Sequence, residues 1–321
     1  MNARIAGIGS YLPARVVTNE EIAQASGIDA RFLEEKVGIA SRHVAGDGEP
    51  TSAMAVRAAE ALFAGQGGAR AHVDVLIVCT QNPDYRLPTT ACIVQHRLGL
   101  STACAAFDVN LGCSGFVYCL AIAQNFIRAG GARTVLLIMA DQYTKITGRE
   151  DRVTAGLFGD AACAVLVNAC EEGYGVLDYL LGTDGGGAEK LILYNSGVAR
   201  DAGKPGTLYM DGRAIYKFAV TTVVEQARQA MDRAGLAAGD VRHVVFHQAN
   251  KYMLEEMRQR LGLRPEQVVV ALRECANTVS ASIPLALEQL YRRQEVHRGD
   301  VLLLCGFGVG LSWGCAVYKE P

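Results

Sequence analysis

The sequence predicts an α/β protein built from two similar halves. Its apolar runs are short, rich in β-branched residues and leucine, and bounded by turn residues. Because these runs are apolar on both faces, they indicate strands that helices cover on each side. Of the 321 residues, 50% are hydrophobic and 20% are charged, the ordinary balance of a globular protein.

Five runs are the clearest strand candidates, namely 74–79, 133–140, 162–167, 242–247 and 300–305. A further strand-like run covers 105–110. Helical periodicity lies between the strands, at 114–129, 213–234 and 251–261. Each helical segment is followed by glycine, a residue that commonly ends helices.

The two halves repeat one order of elements. Residues 73–100 and residues 241–263 each run strand, loop, helix and then Arg-Leu-Gly-Leu. Each half then adds an apolar strand and closes on a strand of small residues. A duplication joined near residue 170 explains this order, so we expect halves of 1–170 and 171–321; a chance likeness between α/β units is the alternative. Duplicated units place equivalent loops at one crevice, so a nucleophile and its helpers should come from both halves.

Charge and hydropathy argue against several classes of protein. The 31 basic and 33 acidic residues leave a net charge of −2, without the basic surplus of a nucleic-acid-binding protein. The segment Met1–Pro13 lacks the pattern of a secretory signal. Residues 301–318 carry no charge and approach the length of a membrane span, but their glycines favour strand, glycine loop, strand. We therefore expect neither a membrane nor a nucleic-acid partner. The cysteines, most of which lie in apolar runs as reduced core residues, indicate a cytoplasmic protein.

One of the ten cysteines lies in a context that suits catalysis. The cysteines form no C-x-x-C pair and no metal-ligand spacing, so no metal is expected, and most lie in apolar runs. Cys113, however, lies between a predicted strand and a predicted helix, within Leu111-Gly112-Cys113-Ser114-Gly115. A helix N-terminus and free backbone N–H groups favour the thiolate that a nucleophile needs. A small structural residue at a tight corner is the alternative.

Two polar residues of the second half are candidate partners. His247 ends an apolar strand and precedes the helix that begins near Lys251, which places it at the carboxyl edge of the sheet. Asn277 lies in the turn-like segment Cys275–Ser280. Each also has a structural interpretation, because histidines at strand ends and asparagines in turns often serve the backbone.

Two glycine-rich segments have different interpretations. Residues 306–314 expose backbone N–H groups that suit either an oxyanion site or a tight β-hairpin. Gly182–Gly187 has the glycines of a phosphate loop, but no helix clearly begins there and no Lys-Ser/Thr follows. It is therefore predicted to be a surface loop.

Taken together, five segments resemble the β-ketoacyl-acyl-carrier-protein synthase III family of the thiolase superfamily. They are NLGCSGF around Cys113, FGDAACA from Phe158, HQAN from His247, ANTVSASIP around Asn277 and GFGVGLSWG from Gly306. The resemblance runs nearly end to end. It implies a thiolase-like five-layered α-β-α-β-α fold, a homodimer, and no cofactor beyond the substrates.

The resemblance also implies a two-stage condensation. Cys113 takes an acyl group from acyl-coenzyme A (acyl-CoA); malonyl-acyl-carrier protein (malonyl-ACP) then loses carbon dioxide, and its carbanion attacks the acyl-enzyme. His247 and Asn277 match the two donors that bind the malonyl thioester carbonyl as negative charge develops. The backbone N–H groups of Cys113 and Val309 match the second oxyanion site.

Further positions match substrate contacts of the family, namely Phe32, Lys36, Leu87, Arg152, Gly212, Asn250 and Phe307. Phe32 and Arg152 stand where the family often has a tryptophan and an arginine around the coenzyme A adenine. Leu87 stands where a phenylalanine often reaches into the partner's acyl pocket, which indicates room for more than acetyl. A patch of Lys217, Lys251, Arg258 and Arg260 is expected to recruit the acidic carrier protein; an ordinary solvated face is the alternative.

Three rival functions remain at this point. Papain-like proteases also use cysteine, histidine and asparagine, but the C-G-S-C-W-like segment of those enzymes is missing. A noncatalytic thiolase-fold subunit that binds carrier protein is a second alternative. A starter-specific condensing enzyme of secondary metabolism is the third, and the sequence leaves the acyl primer open.

Overall fold

A computed structural model describes residues 1–321 and contains thirteen strands and nine α-helices. The strands are β1 (Asn2–Tyr11), β2 (Arg15–Thr18), β3 (Ser41–Val44), β4 (Val75–Cys79), β5 (Ala105–Val109), β6 (Thr134–Asp141), β7 (Ala161–Cys170), β8 (Gly175–Thr183), β9 (Leu191–Leu193), β10 (Leu208–Met210), β11 (His243–Phe246), β12 (Val301–Gly308) and β13 (Ser312–Lys319). The helices are α1 (Asn19–Ser26), α2 (Ala30–Phe32), α3 (Thr51–Ala64), α4 (Thr90–Arg97), α5 (Gly115–Arg128), α6 (Gly212–Phe218), α7 (Val224–Arg233), α8 (Lys251–Arg260) and α9 (Ser282–Arg292).

Two mixed sheets repeat one strand order. The first sheet runs β1-β7-β6-β4-β5, and the second runs β8-β13-β12-β11. In both sheets the first two neighbouring pairs are antiparallel and the next is parallel. The position equivalent to β5 is reduced in the second sheet to one parallel bridge, between Val268 and Val244. The two sheets thus have matching strand orders. Residue 170, near which we expect the join of a duplication, is the last residue of β7.

The elements stack in five layers. Helices α3 and α4 cover the outer face of the first sheet, and α7 covers the outer face of the second. Helices α5 and α9 lie between the two sheets and contact strands of both. Three buried apolar clusters fill the spaces between these layers. The five-layered α-β-α-β-α architecture expected from the sequence is therefore present.

The observed elements agree with the predicted ones, with two differences. The segment predicted as one helix over 213–234 is instead α6, a π-helical turn over Ala219–Val223, and α7. The predicted loop Gly182–Gly187 instead ends β8 and begins a 3-10 helix, Gly185–Lys190. Residues 301–318 form the hairpin of β12 and β13 rather than a span, and no helix has the length and apolar character needed to cross a bilayer.

Candidate active site

One cavity of about 610 Å³ joins residues from both halves of the chain. Cys113, His247 and Asn277 all line it, although they lie far apart in sequence. All three are almost fully buried. The other lining residues are mainly apolar.

Cys113 lies at the turn between β5 and α5. It is in close contact with Gly306 and Gly308 of strand β12 in the second half. A Cβ atom on Gly308 would lie 2.9 Å from Cys113 Cβ and 3.1 Å from Cys113 Sγ. A Cβ atom on Gly306 would lie 2.8 Å from the Cys113 carbonyl oxygen. Side chains at these two positions would displace the cysteine, so the glycines of β12 are required by the close packing of the halves.

The environment of Cys113 does not favour the thiolate as the sequence indicated. Burial raises the pKa of its thiol well above the ordinary value, and the nearby Asp141 carboxyl adds to this rise. A backbone hydrogen bond opposes the shift without overcoming it. Desolvation of the charged form thus outweighs the helix N-terminus, and the resting residue is a neutral thiol.

His247 follows β11 and is held by a buried serine. Its Nδ1 lies 2.7 Å from Ser282 Oγ, the first residue of α9. Its ring meets Phe307 edge-on, with centroids 5.5 Å apart. Burial lowers the pKa of His247 to about 3, so the imidazole is neutral at physiological pH.

The hydrogen bonds of Asn277 leave its side-chain nitrogen, Nδ2, without a partner in the chain. Its Oδ1 accepts a hydrogen bond from the Val279 N–H at 2.9 Å, and its backbone N–H donates to Leu157 O at 3.0 Å. Its Nδ2 donates to no other group of the chain. Val279 has a φ of 55°, unusual for a β-branched residue, so the backbone after Asn277 is strained. The arrangement leaves an N–H donor available in the cavity.

The cavity mouth carries aromatic and basic side chains. Phe32 and Tyr252 are 49% and 58% exposed, and Tyr252 stacks on Tyr216. Lys36 and Arg152 also line this cavity. A mouth with flat apolar surfaces and two cations suits an extended ligand that carries negative charge.

Most of the predicted substrate positions line the cavity. These residues are Phe32, Lys36, Arg152, Gly212, Asn250 and Phe307. The side chain of Asn250 also caps α8 by accepting from Met253 N. Leu87 does not line this chain's cavity and is 87% exposed. Val309 is also outside the lining, in the turn between β12 and β13, where its carbonyl accepts from Ser312 Oγ.

The expected carrier-protein patch is partly neutralised by ion pairs. Arg258 bonds both oxygens of Glu255, and Arg260 pairs with Glu256. Lys217 and Lys251 are exposed and make no ion pair. Free positive charge on this surface therefore lies at the lysines rather than at the arginines.

Sequence inspection missed two residues of the site. Ser282 contacts His247, and Tyr143 lines the cavity beside Cys113. Tyr143 belongs to none of the five family segments, and no role for Ser282 follows from the segment that contains it. Ser282 stands within the segment ANTVSASIP, but its partner lies 35 positions away, and only the fold brings them together.

Comparisons with known proteins place the chain in one family. Sequence profiles described as 3-oxoacyl-[acyl-carrier-protein (ACP)] synthase III, and as the C terminal of that enzyme, match residues 107–185 and 231–319. A beta-ketoacyl-[acyl-carrier-protein] synthase III from Rhodospirillum centenum is 42% identical over 318 residues, which are 98% of each chain.

Solved structures of proteins named as members of this family, or as a priming β-ketosynthase, have the same fold as this chain. The beta-ketoacyl-[acyl-carrier-protein] synthase III of Thermus thermophilus superimposes with a TM-score of 0.93 at 39% identity, over 99% of each chain. A priming β-ketosynthase of a polyketide pathway superimposes with a TM-score of 0.92 at 32% identity, over 100% of this chain and 96% of that one. The chain therefore belongs to the β-ketoacyl-[acyl-carrier-protein] synthase III family and has its thiolase-like fold.

Proposed function

We propose that this chain is a carbon–carbon bond-forming acyltransferase that condenses an acyl-CoA primer with malonyl-ACP in fatty-acid or related acyl-chain biosynthesis. The observation that carries the proposal is the meeting of Cys113, His247 and Asn277 in one largely apolar cavity. The first half of the chain contributes the nucleophile Cys113 to this cavity, and the second half contributes His247 and Asn277.

In the first stage, Cys113 Sγ attacks the thioester carbonyl of acyl-CoA. The carbonyl oxygen becomes an oxyanion. The backbone N–H of Cys113, which lines the cavity, is one proposed donor, and the N–H of Val309, the residue after the lining residue Gly308, is the other. Collapse of this intermediate breaks the bond to coenzyme A, whose thiolate takes the proton that Cys113 releases. The neutral resting thiol loses that proton only as the new bond forms, because burial disfavours a free thiolate.

In the second stage, malonyl thioester replaces coenzyme A in the cavity. Its carboxylate leaves as carbon dioxide, and the electron pair moves toward the thioester oxygen as an enolate. The Nε2–H of His247 and the Nδ2–H of Asn277 donate to that oxygen. The enolate carbon then attacks the acyl-Cys113 carbonyl and expels the Cys113 thiolate, which takes up a proton.

Two macromolecular partners belong to this proposal. The carrier protein is acidic, and Lys217 and Lys251 are the free cations of the expected docking patch.

A second copy of the chain is the other partner. Strand β5 is an edge strand paired only with β4, and Tyr85 and Leu87 nearby are 63% and 87% exposed. An unpaired edge beside exposed apolar side chains favours pairing between two copies.

A starter-specific role in secondary metabolism is the second candidate. It is favoured by the likeness to a priming β-ketosynthase of a polyketide pathway. The same chemistry serves both functions, so the difference lies in the primer and in the carrier protein that delivers the malonyl group.

Intact-mass measurement after incubation with acyl-CoA tests the proposal. We expect one acyl group per chain, located by peptide mapping at Cys113, and none on the Cys113→Ala variant. Cys92 is the matched control, since it is an exposed thiol that does not line the cavity. Acylation of Cys92 instead, or of no cysteine with any donor, would contradict an acyl-enzyme mechanism and favour the noncatalytic alternative.

A further inference from the structure

Two buried serines, Ser114 and Ser312 (the serine pair), connect the turn that carries Cys113 to the hairpin of β12 and β13. Ser114 follows Cys113 in the first half, and its Oγ lies 2.7 Å from Ser312 Oγ in the second half. The exposed fractions of the two residues are only 1% and 2%. Because both side chains are buried, their hydroxyl groups need partners inside the protein.

The direction of these hydrogen bonds follows from the number of hydrogens. Ser312 Oγ also lies 2.6 Å from Val309 O. A carbonyl oxygen only accepts, so the single hydroxyl hydrogen of Ser312 is donated to Val309. Ser312 therefore accepts from Ser114. The order Ser114, Ser312, Val309 is the one arrangement that satisfies both hydroxyl groups.

Ser114 makes this contact in place of the one that its position favours. It stands at the N-cap of α5, where a serine side chain commonly accepts from a backbone N–H of the first turn. The Ser114 side chain makes no such bond. Its hydroxyl contacts the other half of the chain instead.

The serine pair adjoins the two backbone donors proposed for the oxyanion of the acyl carbonyl. The N–H groups of Cys113 and Val309 donate to no other residue of the protein, so both are available to a substrate oxygen. Ser114 is bonded covalently to Cys113, and Ser312 contacts the carbonyl of Val309. The serine pair therefore connects one donor residue to the other.

The backbone of Val309 depends on this contact because glycines flank it. Glycine restricts the backbone less than any other residue, and Gly310 has a φ of 139°. Beyond Gly310, Leu311 exchanges two backbone hydrogen bonds with Asp184. The bond from Ser312 Oγ is the only hydrogen bond that the Val309 backbone makes. Without it, the orientation of the Val309 peptide groups is less restricted.

We propose that Ser114 and Ser312 are positioning residues that orient the Val309 N–H toward the oxyanion of the acyl carbonyl. The inference rests on the proposed function and deepens it at the same site. That oxyanion forms twice, when Cys113 attacks acyl-CoA and when the enolate attacks acyl-Cys113. Decarboxylation uses the other pair of donors. Loss of the serine pair should therefore slow acylation and condensation, and leave release of carbon dioxide much less affected.

The first test is the rate at which acetyl-CoA acylates Cys113, followed by intact mass. In Ser312→Ala we expect a rate about 10- to 100-fold below that of the wild type, since misplacing a group by about 1 Å can cost 10²-fold. Ser114→Ala should lose less, because the bond from Ser312 to Val309 remains. Ser312→Thr keeps the hydroxyl and should restore most of the rate.

The second test follows the products of the pre-acetylated enzyme with malonyl-ACP. In the wild type, each carbon dioxide released should be matched by one β-ketoacyl product. In Ser312→Ala, carbon dioxide release should continue, but part of the enolate should take up a proton and leave as acetyl-ACP. The ratio of acetyl-ACP to condensed product should therefore rise. Partial unfolding does not change this ratio, since only folded enzyme forms either product.

Thr183→Val is the matched control. Thr183 lies opposite Ser312 in β8, and its hydroxyl lies 3.3 Å from Tyr118 Oη rather than near the hairpin turn. Its acylation rate and product ratio should equal those of the wild type. The double variant of Ser114→Ala and Ser312→Ala should be no slower than Ser312→Ala, because both hydroxyl groups act through one contact.

Several results would overturn the inference. They are a wild-type acylation rate in Ser312→Ala, equal losses of acylation and carbon dioxide release, and additive losses in the double variant. If thermal unfolding shows that Ser312→Ala is not folded, an unchanged acylation rate and product ratio in Ser114→Ala would overturn it as well. Absence of any acylation of the wild-type chain would instead refute the proposed function.

Discussion

The hydroxyl of Ser282 has one proton and two acceptors, and the choice between them decides what His247 does. Ser282 Oγ lies 2.7 Å from His247 Nδ1 and 2.9 Å from Val279 O. If the hydroxyl donates to Nδ1, the imidazole carries its proton on Nε2 and serves as a donor to the enolate. If it donates to Val279 O, Nδ1 carries the proton and Nε2 is a base.

Removal of this hydroxyl should damage the second stage more than the first. In Ser282→Ala, His247 Nδ1 loses its side-chain partner in a buried site, at a cost of about 1–3 kcal/mol. This cost is expected to destabilise the tautomer of His247 that carries its proton on Nε2 and donates to the enolate. Decarboxylation should then slow by about 5- to 150-fold, since each 1.36 kcal/mol is a factor of ten in rate. Acylation of Cys113 should change much less, because backbone N–H groups stabilise the oxyanion of that stage.

The two stages are measured separately on the same protein. Intact mass gives the single-turnover rate of acylation, and carbon dioxide release from malonyl-ACP by the pre-acylated enzyme gives the rate of the second stage. Ser280→Ala is a useful comparison, since it removes a buried hydroxyl from the same segment whose partner is Asp141 rather than His247. Equal losses in both stages for Ser282→Ala, or the same pattern in Ser280→Ala, would refute the role of Ser282 in selecting the tautomer.

Three further predictions concern the donors, the docking surface and the effect of pH. His247→Ala and Asn277→Ala should still be acylated but should lose about 10²–10³ in decarboxylation rate, the usual cost of one oxyanion donor; loss of acylation in His247→Ala would make it the base for the thiol. Lys217→Glu should raise the KM for malonyl-ACP several-fold, and added salt should reduce the effect. Arg258→Glu should have less effect through charge, because Arg258 is already paired with Glu255; equal, salt-insensitive effects would place the docking surface elsewhere. Because the pKa of His247 falls to about 3 from 6.5, the unfolded chain alone takes up its proton between these values. His247 should therefore lower the free energy of unfolding by about 3 kcal/mol between pH 7 and pH 4, and a pH-independent difference between wild type and His247→Gln in denaturant titrations would contradict this.

Apolar runs predicted six of the strands, namely β4 to β7, β11 and β12, but not β1 to β3 or β8 to β10. The five-layered fold was expected from the resemblance of the five segments to a known family. Apolar runs and helix-ending glycines are local signals, and the five family segments are also local. The π-helical turn at Ala219–Val223 is different, because it changes the backbone hydrogen bonds without changing the side-chain pattern that predicts a helix. Helix α9 begins with Ser282 and includes Pro284 in its first turn, so propensity alone gave little signal for it.

The contacts that tune the site were out of reach for a different reason. Ser114 and Ser312 are 198 positions apart, and no spacing rule connects them. The pKa of Cys113 was predicted in the wrong direction, since the strand–helix corner is visible in sequence but the depth of its burial is not. Local chemistry could be predicted from the motifs, whereas desolvation depends on how the two halves pack against each other.

The protonation states of Cys113 and His247 distinguish this site from a protease-like one. A cysteine activated in the resting enzyme is a thiolate paired with a protonated histidine, which requires a lowered thiol pKa and a charged imidazole. Here burial acts in the opposite direction on both groups, raising the pKa of Cys113 and lowering that of His247 to about 3. Burial thus favours the neutral form of both groups before substrate binds. A neutral imidazole is suited to donating to a developing enolate without giving up its proton, and a neutral thiol reacts only when a thioester carbonyl lies against it. These states fit the proposed condensation, in which His247 donates a hydrogen bond and Cys113 loses its proton only as its bond to the acyl group forms.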